Sequence, residues 1–266
     1  MEEIVVDNTE VPDEDDEEFI DEYEDNVEMV GEEEEDDKST SLNQINPDSV
    51  IDTSSFCFTG HKDAIYCIAI HPLQQSNLFL SGGGDDKAYL WDISNGSNNS
   101  SSSRYEFQHN DTVSSVGFNF DGTLCLTGGY DGYVKIWDVV TGELKQNLEG
   151  PEDIEWAQWH SKGNAVIAGS RDGTIWMWMA TDGSCLQVFA GHEGGVSQGC
   201  FSKDGKLVCS GGEDGTVRLW APKTGICKHV FASFDAHQAL ITSIDSSNDG
   251  LLLLTGKVTY IFYIFY

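Results

Sequence analysis

Residues Gly191–Trp220 read GHEGGVSQGCFSKDGKLVCSGGEDGTVRLW, and the pattern of this stretch recurs upstream twice in clear form and once in eroded form. Val196, Cys200 and Phe201 open a short apolar run, and Lys203-Asp204-Gly205-Lys206 supplies a polar turn. Leu207–Ser210 is a second run, Glu213-Asp214-Gly215 a second turn, and Thr216–Trp220 a β-branched and aromatic third run. Short apolar runs separated by Asp-Gly turns predict a meander of antiparallel strands. No part of the stretch carries helical spacing.

The tryptophan closing the third run serves as a ruler for the rest of the chain. Trp91, Trp137, Trp178 and Trp220 stand 46, 41 and 42 residues apart, and two of them begin a Trp-Asp pair, Trp91-Asp92 and Trp137-Asp138. A self-similar period in the low forties made of short strands predicts the four-stranded blades of a β-propeller, an all-β fold. Ten residues before each tryptophan stand Ser81, Thr127, Ala168 and Ser210; six before stand Asp85, Asp131, Asp172 and Asp214. Histidines precede three of the four, at His61, His109 and His192.

On these residues the chain resembles the WD-repeat β-propeller family. The resemblance implies a hydrogen-bonded His, Ser/Thr, Asp and Trp set within each blade: His61, Ser81, Asp85 and Trp91; His109, Thr127, Asp131 and Trp137; His192, Ser210, Asp214 and Trp220. A buried imidazole held between a carboxylate and a hydroxyl leaves no polar group unpaired, which makes these residues scaffold. The competing reading is a Ser-His-Asp hydrolase. Repetition argues against it, because one active site needs one nucleophile with one oxyanion hole, whereas this set occurs three times on equivalent strands.

Composition divides the chain. Residues 1–38 contain 21 Asp or Glu and a single Lys, so this segment carries −20 of the total net charge of −32. Such charge density with few apolar residues predicts a disordered acidic tail, followed by a polar linker over 39–55. An acidic tail favours basic proteins and disfavours nucleic acid and anionic membrane; a solubilising role without a dedicated target is the alternative. The seven cysteines form no CxxC pair, which predicts reduced core thiols in an intracellular, cytoplasmic or also nuclear protein, with no metal and no cofactor. No basic and apolar leader precedes the tail, and no run has the length of a transmembrane helix.

The repeats predict a partial propeller over 56–256, with blades over 60–107, 108–148, 149–190 and 191–232 and a partial blade over 233–256. Phe56-Cys57-Phe58 reads as an orphan outer strand, and Ser94–Ser103 as a flexible insertion between blades. The third unit has Gly150-Pro151 where the spacing asks for His, and Ala168 where it asks for a hydroxyl. Losing both together removes the polar chain without stranding one member. Trp156, Trp159, Trp176 and Trp178 make this unit aromatic-rich, and Trp156 and Trp176 either pack within it or present an exposed anchor to a partner. The fifth unit starts at His237 and stops after Gly256; residues 257–266, KVTYIFYIFY, resemble no other unit. Four and a half blades predict open lateral faces and an aggregation-prone tail, as in a truncated product of a longer propeller protein.

The acidic tail together with SGGGDDKAYLWD, DIEWAQWH and GTIWMWMATDGSC is similar to one branch of the WD-repeat family, whose fungal member is associated with ribosome assembly as a chaperone for a basic ribosomal protein and whose animal member is associated with cell migration. That resemblance implies a non-enzymatic interaction scaffold. Family geometry, carried over by position, places partner contacts on the narrow top face at Tyr66, Tyr130, Asp153, Glu155, Arg171 and Glu213. These suit a basic client, or else are ordinary solvated loops. The alternative from another class is the substrate-recognition subunit of a ubiquitin ligase. Such subunits often carry Arg two residues after the Trp-Asp pair, where this chain has Ser94 and Val140.

Overall fold

The computed structural model describes residues 57–94, 103–232, 240–248, 252–257 and 262–265, all within one compact unit, Ser54–Tyr266. The acidic tail, the linker, most of the Ser/Asn insertion and His237 lie outside the described residues.

Among the described residues every regular element is a strand. Blade 1 consists of β1 (Ile65–Ile70), β2 (Leu78–Gly83), β3 (Lys87–Asp92) and β4 (Tyr105–Gln108). Blade 2 holds β5 (Val113–Phe118), β6 (Leu124–Gly129), β7 (Tyr133–Asp138) and β8 (Leu144–Glu149). In blade 3 come β9 (Ile154–Trp159), β10 (Ala165–Ser170), β11 (Thr174–Met179) and β12 (Cys185–Ala190). Blade 4 follows with β13 (Val196–Phe201), β14 (Val208–Gly212), β15 (Thr216–Trp220) and β16 (Cys227–Ala232). A three-stranded fifth blade has β17 (Ile241–Ser246), β18 (Leu253–Lys257) and β19 (Phe262–Phe265). Each sheet is an antiparallel meander in chain order, as tight turns between short strands dictate. The turn between second and third strands requires one residue in the left-handed region. Gly132, Gly173 and Gly215 supply it at φ 80°, 86° and 70°, while blade 1 places Asp86 there at φ 62°.

The first strands of the blades, β1, β5, β9, β13 and β17, neighbour one another in that order. The core accordingly lies between blades. Four apolar clusters form, one at each junction: Leu80, Leu90 and Phe107 against Val113; Leu126 and Ile136 against Ile154 and Trp178; Ile167 and Phe189 against Val196 and Trp220; and Cys209 and Val217 against Ile241. Burying each large apolar side chain contributes roughly 1.5–3 kcal/mol relative to leaving it in water. The enlarged first turn of blade 1 also serves a junction, since the ring of buried His71 bonds the Gly122 carbonyl of blade 2 at 3.0 Å.

Two expectations are corrected here. Cys57–Gly60 form no strand. Phe58 instead packs its ring against Trp91 at 4.6 Å and Phe79 at 4.8 Å, the place that Phe107 takes against Trp137 and Phe189 against Trp220. Phe58 thus takes, against blade 1, the place that the outer strand of a preceding blade takes elsewhere. The terminal residues, set apart above as foreign to the pattern, supply β19, which pairs with β18 from Leu253↔Phe265 to Gly256↔Phe262. Backbone pairing asks only for extended, β-prone residues, so Phe262–Phe265 joins the sheet without the repeat's marks.

Candidate functional site

In blades 1, 2 and 4 the backbone register sets a hydroxyl, an imidazole, a carboxylate and an indole on one line. Trp91 Nε1 donates to Ser81 Oγ at 2.8 Å, Ser81 Oγ meets His61 Nε2 at 2.8 Å, and His61 Nδ1 meets Asp85 Oδ1 at 2.8 Å. The corresponding distances are 2.9, 2.7 and 2.9 Å through Trp137, Thr127, His109 and Asp131. Through Trp220, Ser210, His192 and Asp214 they are 2.8, 2.8 and 3.1 Å. An indole can only donate, so the hydroxyl proton goes to Nε2 and the Nδ1 proton to the carboxylate. The far carboxylate oxygen accepts the backbone N–H of the residue after each histidine: Lys62, Asn110 or Glu193.

Burial works to raise the Asp214 carboxyl, but the Thr216 and Glu193 N–H groups, the Thr216 hydroxyl and His192 outweigh it and hold it below the usual range. His192 is pushed down by burial, against the pull of Asp214. The three hydroxyls are buried and already committed to a Trp donor, so none is presented to a substrate as a nucleophile.

Blade 3 lacks the set. Ala168 is buried beside Trp156, whose indole lies over Gly169, crosses to Gly199 of blade 4 and donates to the Val196 carbonyl at 2.9 Å. Only 5% of Trp156 is exposed, which removes it as a surface anchor: its ring fills the space between two glycines. Trp176 is half-buried, stacks on Trp178 with centroids 5.9 Å apart and donates to Thr174 Oγ1 at 3.1 Å.

The remaining six residues singled out in the sequence come together at one end of the blades. The residue before each Asp turn bonds through its N–H to the carbonyl just before the first strand: Tyr130 to Thr112 at 2.9 Å, Arg171 to Asp153 at 3.1 Å and Glu213 to Gly195 at 2.9 Å. That pinning sets Tyr130, Arg171 and Glu213 beside Asp153 and Glu155. Arg171 Nη1 lies 3.6 Å from Asp153 Oδ2, and Glu213 Oε2 accepts the Gly195 N–H at 3.2 Å. Burial raises the Glu155 carboxyl; Arg171 opposes it, while Asp153 and Glu213 add to it. Burial likewise raises the Tyr130 phenol, with Glu155, Asp153 and Tyr66 adding. Tyr66 itself is 64% exposed, next to Asp63 and Gly84.

A shallow cleft of about 230 Å³ adjoins this cluster, lined by Tyr130, Tyr133, Glu149, Pro151, Glu152 and Asp153 among others. Sequence reasoning passed over Tyr133, Glu149 and Glu152. The available signal was Gly150, followed by Pro151, standing where the spacing asks for His, and both residues line the cleft. Among the described residues no group of His, Cys, Asp and Glu is arranged to hold a metal, and the seven cysteines are unpaired.

Meander blades packed side by side through recurrent Trp, His and hydroxyl sets define a WD-repeat propeller architecture. The sequence profile described as WD domain, G-beta repeat matches residues 52–92, 101–138, 142–179, 183–221 and 227–258, and the chain belongs to that family. It is 34% identical over 210 residues to the angio-associated migratory cell protein of Homo sapiens, covering 78% of this chain and 46% of that protein. It is also 33% identical over 146 residues to the F-box-like/WD repeat-containing protein TBL1X of Mus musculus, covering 50% of this chain and 27% of that protein. Pre-mRNA-processing factor 17 of Mus musculus is 29% identical over 143 residues, covering 53% of this chain and 24% of that protein. The chain thus spans about half the length, or less, of these relatives. WD-repeat proteins act in general as protein-interaction scaffolds.

Proposed function

We propose that the chain is a non-enzymatic binding module or chaperone for a basic protein, received on the face built from Tyr66, Tyr130, Asp153, Glu155, Arg171 and Glu213. The observation that carries this reading is that Asp153, Glu155 and Glu213 lie together on this face with Arg171 as the one cation among the six residues, an excess of negative charge that a lysine or arginine relieves. The two tyrosines offer π-faces to the same cations. The acidic N-terminal segment, with its net −20, adds long-range attraction for such a client. The client class we assign is a basic ribosomal protein during ribosome assembly, met in the cytoplasm or the nucleus.

The test is binding of a labelled Lys/Arg-rich peptide to the intact chain and to the D153N/E155Q/E213Q variant. We expect the variant to lose at least tenfold in affinity while melting at the wild-type temperature. Equal affinity would place binding on the acidic tail or elsewhere and refute this face. A second reading, substrate recognition within a ubiquitin ligase, draws support from the F-box-like relative, but Ser94 and Val140 stand where such subunits often carry Arg.

A further inference from the structure

We propose that Cys200 and Cys209 are a redox modification site, a thiol pair that a hydroperoxide converts to a disulfide across β13 and β14 when blade 5 draws away from them. The two residues stand directly opposite each other in the antiparallel register. Such opposite residues have Cα atoms about 4.5–5.5 Å apart and side chains on one face, within the roughly 4.4–6.8 Å that a disulfide spans. The equivalent cross-strand pairs of the other blades are Ala69 and Leu80, Gly117 and Leu126, Gln158 and Ile167, and Asp245 and Leu254. Each sets a large aliphatic residue against a small or polar one, so packing at this place in the fold does not call for two thiols. The other cysteines of the described strands face different partners: Cys67 is opposite Gly82, Cys125 opposite Phe118 and Trp137, Cys185 opposite Trp178 and Cys227 opposite Trp220.

Burial governs when the bond can form. Both thiols are 3% exposed and lie in the apolar cluster that joins blade 4 to blade 5, with Ile241, Ile244 and Leu253 of blade 5. A hydrogen bond with Cys200 and burial together push the Cys209 thiol up, which keeps it in the unreactive protonated form while the junction is closed. With the junction open, one thiol gives its proton to water and the thiolate attacks hydrogen peroxide; the O–O bond breaks, hydroxide leaves and a sulfenic acid forms. The second sulfur, as thiolate, then attacks the sulfenic sulfur and displaces its hydroxyl as hydroxide. In sum two thiols and one hydrogen peroxide give one disulfide and two waters, the sulfur pair giving up two electrons and the peroxide accepting them. A dithiol reductant reverses the bond by exchange.

The test exposes the intact chain to hydrogen peroxide, blocks the remaining thiols with iodoacetamide at timed intervals, and reads the joined cysteines by non-reducing peptide mapping. The Cys200–Cys209 link is expected to form slowly in the wild type and to disappear on adding dithiothreitol. In Ile241→Ala, which opens a cavity at the junction, it is expected to form about tenfold faster or more. Circular dichroism checks that the variant stays folded, and low urea on the wild type loosens the junction without any substitution. Oxidation confined to the exposed Cys57 and Cys185 overturns the proposal. So does a Cys200–Cys209 link that forms equally fast in the wild type, in the variant and in low urea, which would mean that blade 5 does not guard the pair.

Discussion

Thr127 and Thr255 occupy the same register position in blades 2 and 5, and their surroundings differ in one respect. Thr127 Oγ1 receives the Trp137 indole and meets His109; Thr255 Oγ1 is buried and unpartnered among the described residues. Thr127→Val is expected to strand two donor or acceptor groups and destabilise by about 1–3 kcal/mol, whereas Thr255→Val removes an unpaired hydroxyl and stabilises by about 1 kcal/mol. Urea unfolding of the two variants reads opposite signs. His192 carries a second expectation at this scale. Its folded pKa is depressed by burial, so the stability it contributes is present above the unfolded value of about 6.5 and is lost as pH falls below it, the unfolded chain taking up the proton first. Asp214, also depressed, acts in the same direction at lower pH. The melting temperature should therefore drop between neutral and mildly acid pH, and drop less in His192→Asn, which scanning calorimetry measures.

Blades are joined through the contacts of single strands, and blade 3 shows how a lost polar set is replaced. Trp156 lies so close to Gly199 that an added Cβ would fall 2.3 Å from its ring, whereas at Gly117 of β5 the nearest atom, on Trp159, stands 3.5 Å away. Gly199→Ala is expected to wedge blades 3 and 4 apart at a cost of roughly 1–3 kcal/mol, with Gly117→Ala near neutral. Thermal melts and hydrogen exchange across β9 and β13 distinguish the two. In blade 5 the register puts Phe265 opposite Leu253, as Trp220 is opposite Val208.

For the molecule as a whole, binding of the proposed basic client on this face is expected to depend on pH. A client cation beside Glu155 favours the ionised carboxyl, so the bound pKa lies below the raised free one and binding releases a proton. Affinity for a basic peptide should rise with pH through the Glu155 titration and then level off. Glu155→Gln should flatten that rise, as titration calorimetry at several pH values would read.

The repeat and the all-β architecture were legible in the sequence because each rests on local chemistry at fixed spacing, Asp-Gly turns and alternating β-prone runs, while the three tetrads were legible as what the family resemblance implies. The candidate face was half legible. Tyr130, Arg171 and Glu213 follow from the turn position, but Glu149 and Glu152 enter the cleft only because blades 2 and 3 meet there. Tertiary structure alone decided that Trp156 is interior, that Phe58 replaces an outer strand, and that Phe262–Phe265 completes a third strand. Each of those depends on which surface a neighbouring blade covers, and burial against a partner distant in the chain leaves no periodic mark on the residues themselves.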